Sequence, residues 1–502
     1  MNRIMLNGAA TAAVAAGIAA FSAGAAQADE ARCGTAASQL AIGGAMHAAA
    51  DPEVEHAMVE AAGGLPAYCE ITATLHPVEG SDIGVVYRLP EEWNGRVLGI
   101  GGGGWMGNVT LQAASEGLSR GYATMQTDGG HANGTGFDAT PWAVKEDGSY
   151  DRVKIQDFSY RAIHEMTEKG KMVAEAYYAE PHEQAMYLGC STGGRQGLME
   201  VQRYPDDYDG VIAGAPVYSF LTQTTQTLRS VAFDQPGARL MPEHLTLIQE
   251  SSLAACDAAD GAEDGVLRDP RQCDWDPAEL LCEEGDSAAA CLTQTQVDTM
   301  RRVYTGETMQ NGEIASYPLS RGGEQSWLFF VPASAEGEPG GNSGGLYAFR
   351  GEVLGDPEFD MSGFDAEDVA TVRGSWMAEA YEAADTDIAD FVEGGGKLLL
   401  WHGFNDPGPS ALATVDYYEE VQDNLGDDLD SVRLFLAPGV DHCRGGAGPD
   451  TFDLLGAMDT WITDGEPPEQ MLATKADSDL EWNLCVYPQL PTGQPDGTYR
   501  CE

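Results

Sequence analysis

The run Gly189-Cys190-Ser191-Thr192-Gly193-Gly194 places a serine between small residues in the pattern G-x-S-x-G. A serine at the tip of a sharp strand-to-helix turn exposes its hydroxyl, and the crowded turn needs small neighbours two positions away. The flanking sequence supplies both elements. Ala185-Met186-Tyr187-Leu188 reads as a short buried strand, and Gly193 to Tyr204 reads as a helix ended by Pro205. That helix would aim free N–H groups and a positive dipole end at an oxyanion forming beside Ser191. The implied chemistry is nucleophilic acyl transfer.

A serine hydroxyl attacks only when a base takes its proton. In this arrangement the acid and the base follow the serine, in that order, on loops after later strands. The strand Lys397–Trp401 leads into His402-Gly403-Phe404-Asn405-Asp406, and the strand Val432–Leu436 leads into Ala437-Pro438-Gly439-Val440-Asp441-His442-Cys443. Asp406 is therefore the expected orienting acid and His442 the expected base. His402 precedes Asp406 and reads as a local structural residue, as does His131. Asp441 is the rival acid, but a carboxylate beside a histidine in sequence often points away from it. Thr192 N–H is one expected oxyanion donor. The other should come from the bare glycines Gly101–Gly104 after an early strand, with Gly103 and Gly104 the candidates.

These loops need a sheet to hold them. Ile83–Leu89, Arg96–Ile100 and Val211–Ala215 read as strands, and Phe158–Tyr178 and Ser410–Leu425 as helices. Strand–helix alternation stops after Pro216 and resumes near residue 391. We expect an α/β sheet domain that carries the catalytic residues, from residues 29–216 and 391–502, with a lid domain inserted at 217–390. Residues 1–28 have the layout of a secretory signal peptide. Arg3 is followed by an Ala-rich apolar stretch and then by Ala26-Gln27-Ala28, so the mature protein is expected to be secreted or periplasmic. No later segment is apolar enough to span a bilayer. A formal charge of −53 over 502 residues argues against nucleic acid and anionic membranes as partners and suits an acidic, salt-tolerant surface. No organic cofactor is expected.

Ten cysteines after a signal peptide suggest five disulfides. Nearest neighbours pair Cys33 with Cys69, Cys256 with Cys273, Cys282 with Cys291 and Cys485 with Cys501. Cys190 and Cys443 are left for each other. That bridge would clamp nucleophile to base and, in the chain-entropy model, contribute roughly 4–5 kcal/mol. There is no CxxC and no Cys/His set at zinc spacing, so no zinc site of that kind is expected.

Cys190-Ser191, Asp406 and His442-Cys443 together resemble the CS-D-HC motif of the tannase/feruloyl esterase family. The resemblance spans most of the mature chain, including the Gly101–Trp105 loop and Thr127-Asp128-Gly129-Gly130-His131. It implies an α/β-hydrolase fold, a lid between serine and acid, a disulfide beside the triad, and esters of aromatic acids as substrates. Feruloyl esters are the leading expectation, with galloyl esters and terephthalate monoesters as alternatives. The acid loop departs from the pattern in continuing as Pro407-Gly408-Pro409. An anionic acyl group would need a cation, and Arg271, Arg301, Arg302, Arg321, Arg350 and Arg373 are candidates in the middle block. That block also carries Cys256-Asp257-Ala258-Ala259-Asp260-Gly261-Ala262-Glu263-Asp264-Gly265-Val266. This run is not an EF-hand, but it resembles the structural calcium loop of the family's lid. The resemblance implies ligands at Asp257, Asp260, Asp264 and the carbonyls of Ala262 and Val266. The alternative class is a non-catalytic, calcium-stabilised binding protein on a hydrolase fold.

Overall fold

In the computed structural model, residues 29–40, 53–132, 136, 138–285, 287–329, 345–476, 478–494 and 497–502 are described. The expected signal peptide lies outside them. Nine strands form one sheet: β1 (Glu53–Val59), β2 (Tyr68–Leu75), β3 (Ile83–Pro90), β4 (Arg96–Ile100), β5 (Ala123–Thr127), β6 (Gln184–Cys190), β7 (Gly210–Gly214), β8 (Lys397–Gly403) and β9 (Val432–Ala437). Their order is β1-β2-β3-β5-β4-β6-β7-β8-β9. β1, β2, β3 and β5 pair antiparallel, and every pair from β5 to β9 is parallel.

Burial explains the sequence of each half. β2 alternates between buried and half-buried positions, as a strand with one covered face does, and β1 is an exposed edge. β5 and β7 are buried at every residue, and β8 at every residue after Lys397, so they read as near-continuous apolar runs. The sheet is covered on both faces. Helix α1 (Ala162–Tyr178) contributes Ile163, Met166 and Val173 to one layer, and Met458 and Trp461 belong to the other. A π-helical turn, Asp157–Arg161, precedes α1 where a continuous helix from Phe158 was expected. Helix α2 (Thr192–Arg203) follows β6 directly.

Between β7 and β8, no strand among the described residues joins the nine-stranded sheet. The block holds helix α3 (Phe220–Asp234), an equally long helix Pro242–Cys256, several shorter helices and a two-stranded ribbon, Glu307–Thr308 with Ile314–Ser316. The block does not stand apart. Trp105, Trp142 and Phe158 share one apolar cluster with Phe220, Phe349 and Tyr381 of the insertion.

Candidate active site

The central parallel strands aim their C-terminal ends at one edge, where such sheets place their sites. Ser191 follows β6 with φ 63° and ψ −122°, a left-handed conformation that costs a non-glycine residue about 1–3 kcal/mol. The surroundings enforce it. Ser191 N–H donates to Gly214 O at 2.9 Å, and Ser191 O accepts from Arg195 N at 3.0 Å and Val217 N at 3.2 Å. A Cβ on Gly189 would lie 2.4 Å from the Gly193 carbonyl carbon, and one on Gly194 would lie 2.3 Å from Gly214 O. Both glycines are sterically required by the elbow.

Asp406 sits beyond β8 and His442 beyond β9. The two loops are zipped together: Phe404 N–H donates to Ala437 O and Asn405 N–H to Val440 O, each at 2.9 Å. His442 Nδ1 meets Asp406 Oδ2 at 2.6 Å. The Asp406 side chain is fully buried, whereas 35 % of the His442 side chain is exposed, so the imidazole faces the open side of the site. Burial acts against the His442 imidazolium, but the charge and hydrogen bond of Asp406 hold its pKa above the ordinary histidine value. Burial likewise acts against ionised Asp406, yet the His442 charge and the donors from His402 and His442 hold it down at about 2.

Those donors answer the question raised by the Pro-rich continuation. Prolines donate no N–H, so Gly408 supplies the N–H available between them, and it donates to Asp406 Oδ1 at 2.7 Å. The Pro409 carbonyl accepts from His402 Nε2 at 3.2 Å, and the same nitrogen reaches Asp406 Oδ2 at 3.2 Å. Both partners are acceptors, so Nε2 carries the proton and Nδ1 accepts from the Thr414 hydroxyl at 2.8 Å. His402 is thus a second histidine on the acid, a role its place before Asp406 concealed. Arg229, on α3, donates to the carbonyls of Pro407 and Gly408 at 3.1 Å each. It arrives from a distant helix and carried no sequence signal. His442 Nδ1 bonds to Asp406 and not to the rival acid Asp441. Burial and the nearby Asp406 charge push its carboxyl up to about 6.

Cys190 and Cys443 are bonded, with Cα atoms 6.0 Å apart across 253 residues of sequence. Ser191 and His442 are their immediate neighbours, so the bridge ties the Ser191 turn to the His442 loop. No Ser191 Oγ–His442 hydrogen bond is formed here; such contacts tighten on substrate binding. The other four disulfides are Cys33–Cys69, Cys256–Cys273, Cys282–Cys291 and Cys485–Cys501, as nearest-neighbour pairing gave.

Thr192 opens α2, with its N–H among the free donors of the helix start. Its hydroxyl bonds to Gly104 O. The glycine loop lies against the elbow: a Cβ on Gly101 would sit 2.5 Å from Gly193 Cα. Gly103 N–H donates to Met106 O at 3.1 Å inside a tight hairpin. Gly104 N–H has no protein acceptor among the described residues.

In the acidic loop, Asp257 Oδ2 accepts from Gly265 N at 2.8 Å and Asp260 Oδ2 from Arg268 N at 2.8 Å. Asp257 Oδ1 is buried without a donor, and burial raises the pKa of both carboxyls. An orphaned carboxylate oxygen in a three-aspartate turn fits a hard cation. Arg268 already engages two of the expected ligands, pairing with the Asp264 carboxylate and donating to Val266 O at 2.8 Å.

With this geometry in hand, the class is an α/β-hydrolase with a serine–histidine–aspartate constellation. Residues 69–501 match the family model described as tannase and feruloyl esterase, and the chain belongs to that family of carboxylic ester hydrolases. It is 29% identical to the mono(2-hydroxyethyl) terephthalate hydrolase of Piscinibacter sakaiensis over 88% of this chain and 85% of that one. It is 31% identical to a probable feruloyl esterase of Arthroderma benhamiae, covering 84% of this chain and 82% of the relative. The solved feruloyl esterase B from Aspergillus oryzae superposes with a TM-score of 0.80 at 26% identity, over 94% of this chain and all of that one. Membership in an enzyme family sets aside the non-catalytic alternative. No helix among the described residues is long and apolar enough to cross a membrane.

Proposed function

We propose that the protein is a secreted feruloyl esterase-like enzyme that hydrolyses esters of neutral aromatic acids through an acyl-enzyme on Ser191. The reading rests chiefly on the 2.6 Å Asp406–His442 contact, joined to Ser191 through Cys443–Cys190. His442 Nε2 takes the Ser191 proton as Oγ attacks the ester carbonyl. Thr192 N–H and a glycine N–H hold the oxyanion, and Gly104 is favoured because the Gly103 N–H is already given to Met106 O. His442 then protonates the leaving alcohol, activates water, and returns the proton to Ser191 as the acid departs. Asp406 keeps His442 in the tautomer whose Nε2 is free to work.

The middle-block arginines favour a neutral acyl group over a terephthalate monoester. Arg271, Arg301, Arg302 and Arg373 pair with Asp269, Asp276, Glu307 and Glu313. Arg321 lies on the Tyr304 ring and Arg350 on the Tyr347 ring. The insertion acts as a lid over this site. Ca2+ is its structural ion, held by Asp257, Asp260, Asp264 and the carbonyls of Ala262 and Val266. Residues 1–28 direct export, and the five disulfides suit an oxidising compartment. A panel of ferulate, gallate and terephthalate esters tests the reading. Methyl ferulate should have the highest kcat/KM, and Ser191→Ala should abolish turnover while remaining folded. Retained turnover in Ser191→Ala would sink the mechanism, and preference for the terephthalate monoester would sink the substrate assignment.

A further inference from the structure

Glu200 lies on α2, about two and a half turns beyond Ser191. It is 1% exposed, and both of its carboxylate oxygens are buried without a hydrogen-bond partner. Two other groups face it. Asp207, in the turn leading to β7, is also buried, and His164 comes from α1. One ligand atom from each of the three residues lies within 4.8 Å of the others. His164 Nδ1 meets Asp207 Oδ2 at 2.7 Å, and the His164 ring lies flat on Tyr204 at 3.9 Å, so its inward nitrogen is fixed. The His164 side chain is 30% exposed, which leaves a route from solvent.

The local charge is strongly negative. Asp207, Glu165 and Glu168 all raise the His164 pKa, against the opposing effect of burial. Lys171 is the cation that acts on Glu200, against Asp207 and Glu168. A buried carboxylate without donors is stable only when neutralised, by a proton or by a cation. Glu200 and Asp207 face each other closely enough to share a proton, and a cation would neutralise the pair instead; two carboxylates and one imidazole are the mixed oxygen–nitrogen set that borderline divalent metals take.

We propose that His164, Glu200 and Asp207 form a binding site for a first-row divalent transition ion, with Zn2+ as the probe, separate from the acidic loop and from the esterase site. The ion would pin α1 to the far end of the helix that carries Ser191 at its start. The three ligands come from three segments, so no local spacing in the sequence announces them.

The test uses the full mature chain with Ca2+ kept saturating, so that the acidic loop is not the site read. After chelator treatment, the protein is incubated with Zn2+, desalted and analysed for bound metal. The parent should retain one Zn2+ more than Glu200→Gln and His164→Gln retain. His164→Gln, at a part-exposed position, covers the case in which Glu200→Gln does not fold. Equal Zn2+ in parent and variants overturns the proposal. So does no retained Zn2+ in the parent; a Glu200→Gln Tm at or above the parent's would then point to two carboxylates that share a proton.

Discussion

Asp406 and Glu200 are both sealed from water, yet the protein treats them in opposite ways. Asp406 receives donors from His442, His402 and Gly408, and its pKa is held at about 2. Glu200 receives no backbone, imidazole or guanidinium donor and faces only the Asp207 carboxyl, so burial, reinforced by Asp207, pushes its pKa well above the carboxylate range. Burial alone favours the neutral acid in both places; the His442 charge and the donors decide that Asp406 keeps its charge. Asp441 makes the point a third time. It is adjacent to His442 in sequence, lacks the Asp406 cradle and rises to about 6. The carboxylate that holds His442 is therefore chosen by the loop around it, not by proximity to histidine along the chain.

Removing the charge from the saturated carboxylate should have the largest effect. Asp406→Asn is expected to lower kcat by about 10⁴-fold, because His442 loses its tautomer control. Asp441→Asn should leave most activity; if these two results were exchanged, the acid would be misassigned. Breaking the Cys190–Cys443 bridge with paired alanines should displace nucleophile from base and cost about 10²-fold in kcat/KM, since small misplacements of reacting groups carry that size of penalty. The same variant should lose several degrees of Tm, read by thermal denaturation.

Arg229→Met attacks the cradle indirectly. Pro407 and Gly408 would lose their donor, and Asp406 a nearby positive charge. A smaller loss of kcat/KM is expected, partly recovered by Arg229→Lys, together with an altered pH profile.

That profile provides the subtlest comparison. His442 must be neutral to act as a base, so kcat/KM rises as pH rises through its pKa. Asp406 raises that pKa, so the limb should fall above 6.5, the ordinary histidine value. Asp406→Asn should move the residual activity's limb to lower pH. Glu200→Gln should leave the limb where it is.

Much of the site was legible because its geometry is locally encoded. Gly189 and Gly193 flank Ser191 for a steric reason, and β8 and β9 announce themselves as apolar runs that end at the acid and base loops. The disulfides followed from counting neighbours. What was hidden depends on contacts between distant segments. His402 precedes Asp406, so chain order argued against it, but the fold turns its Nε2 onto the acid. Arg229 reaches the acid loop from α3. Gly103 looked equivalent to Gly104 until the hairpin to Met106 used its N–H. β2 was readable in principle: Ile71, Ala73 and Leu75 alternate with Glu70, Thr72 and Thr74, the period of a one-faced strand.

The central claim is that Ser191 is a nucleophile activated by His442 and held by Asp406. Labelling with a fluorophosphonate, followed by mass spectrometry of the digested protein, tests it most directly. One adduct per chain is predicted, on the peptide containing Ser191, absent in Ser191→Ala and formed far more slowly in Asp406→Asn. Absence of an adduct on the folded parent, or an adduct on another serine, would contradict the account.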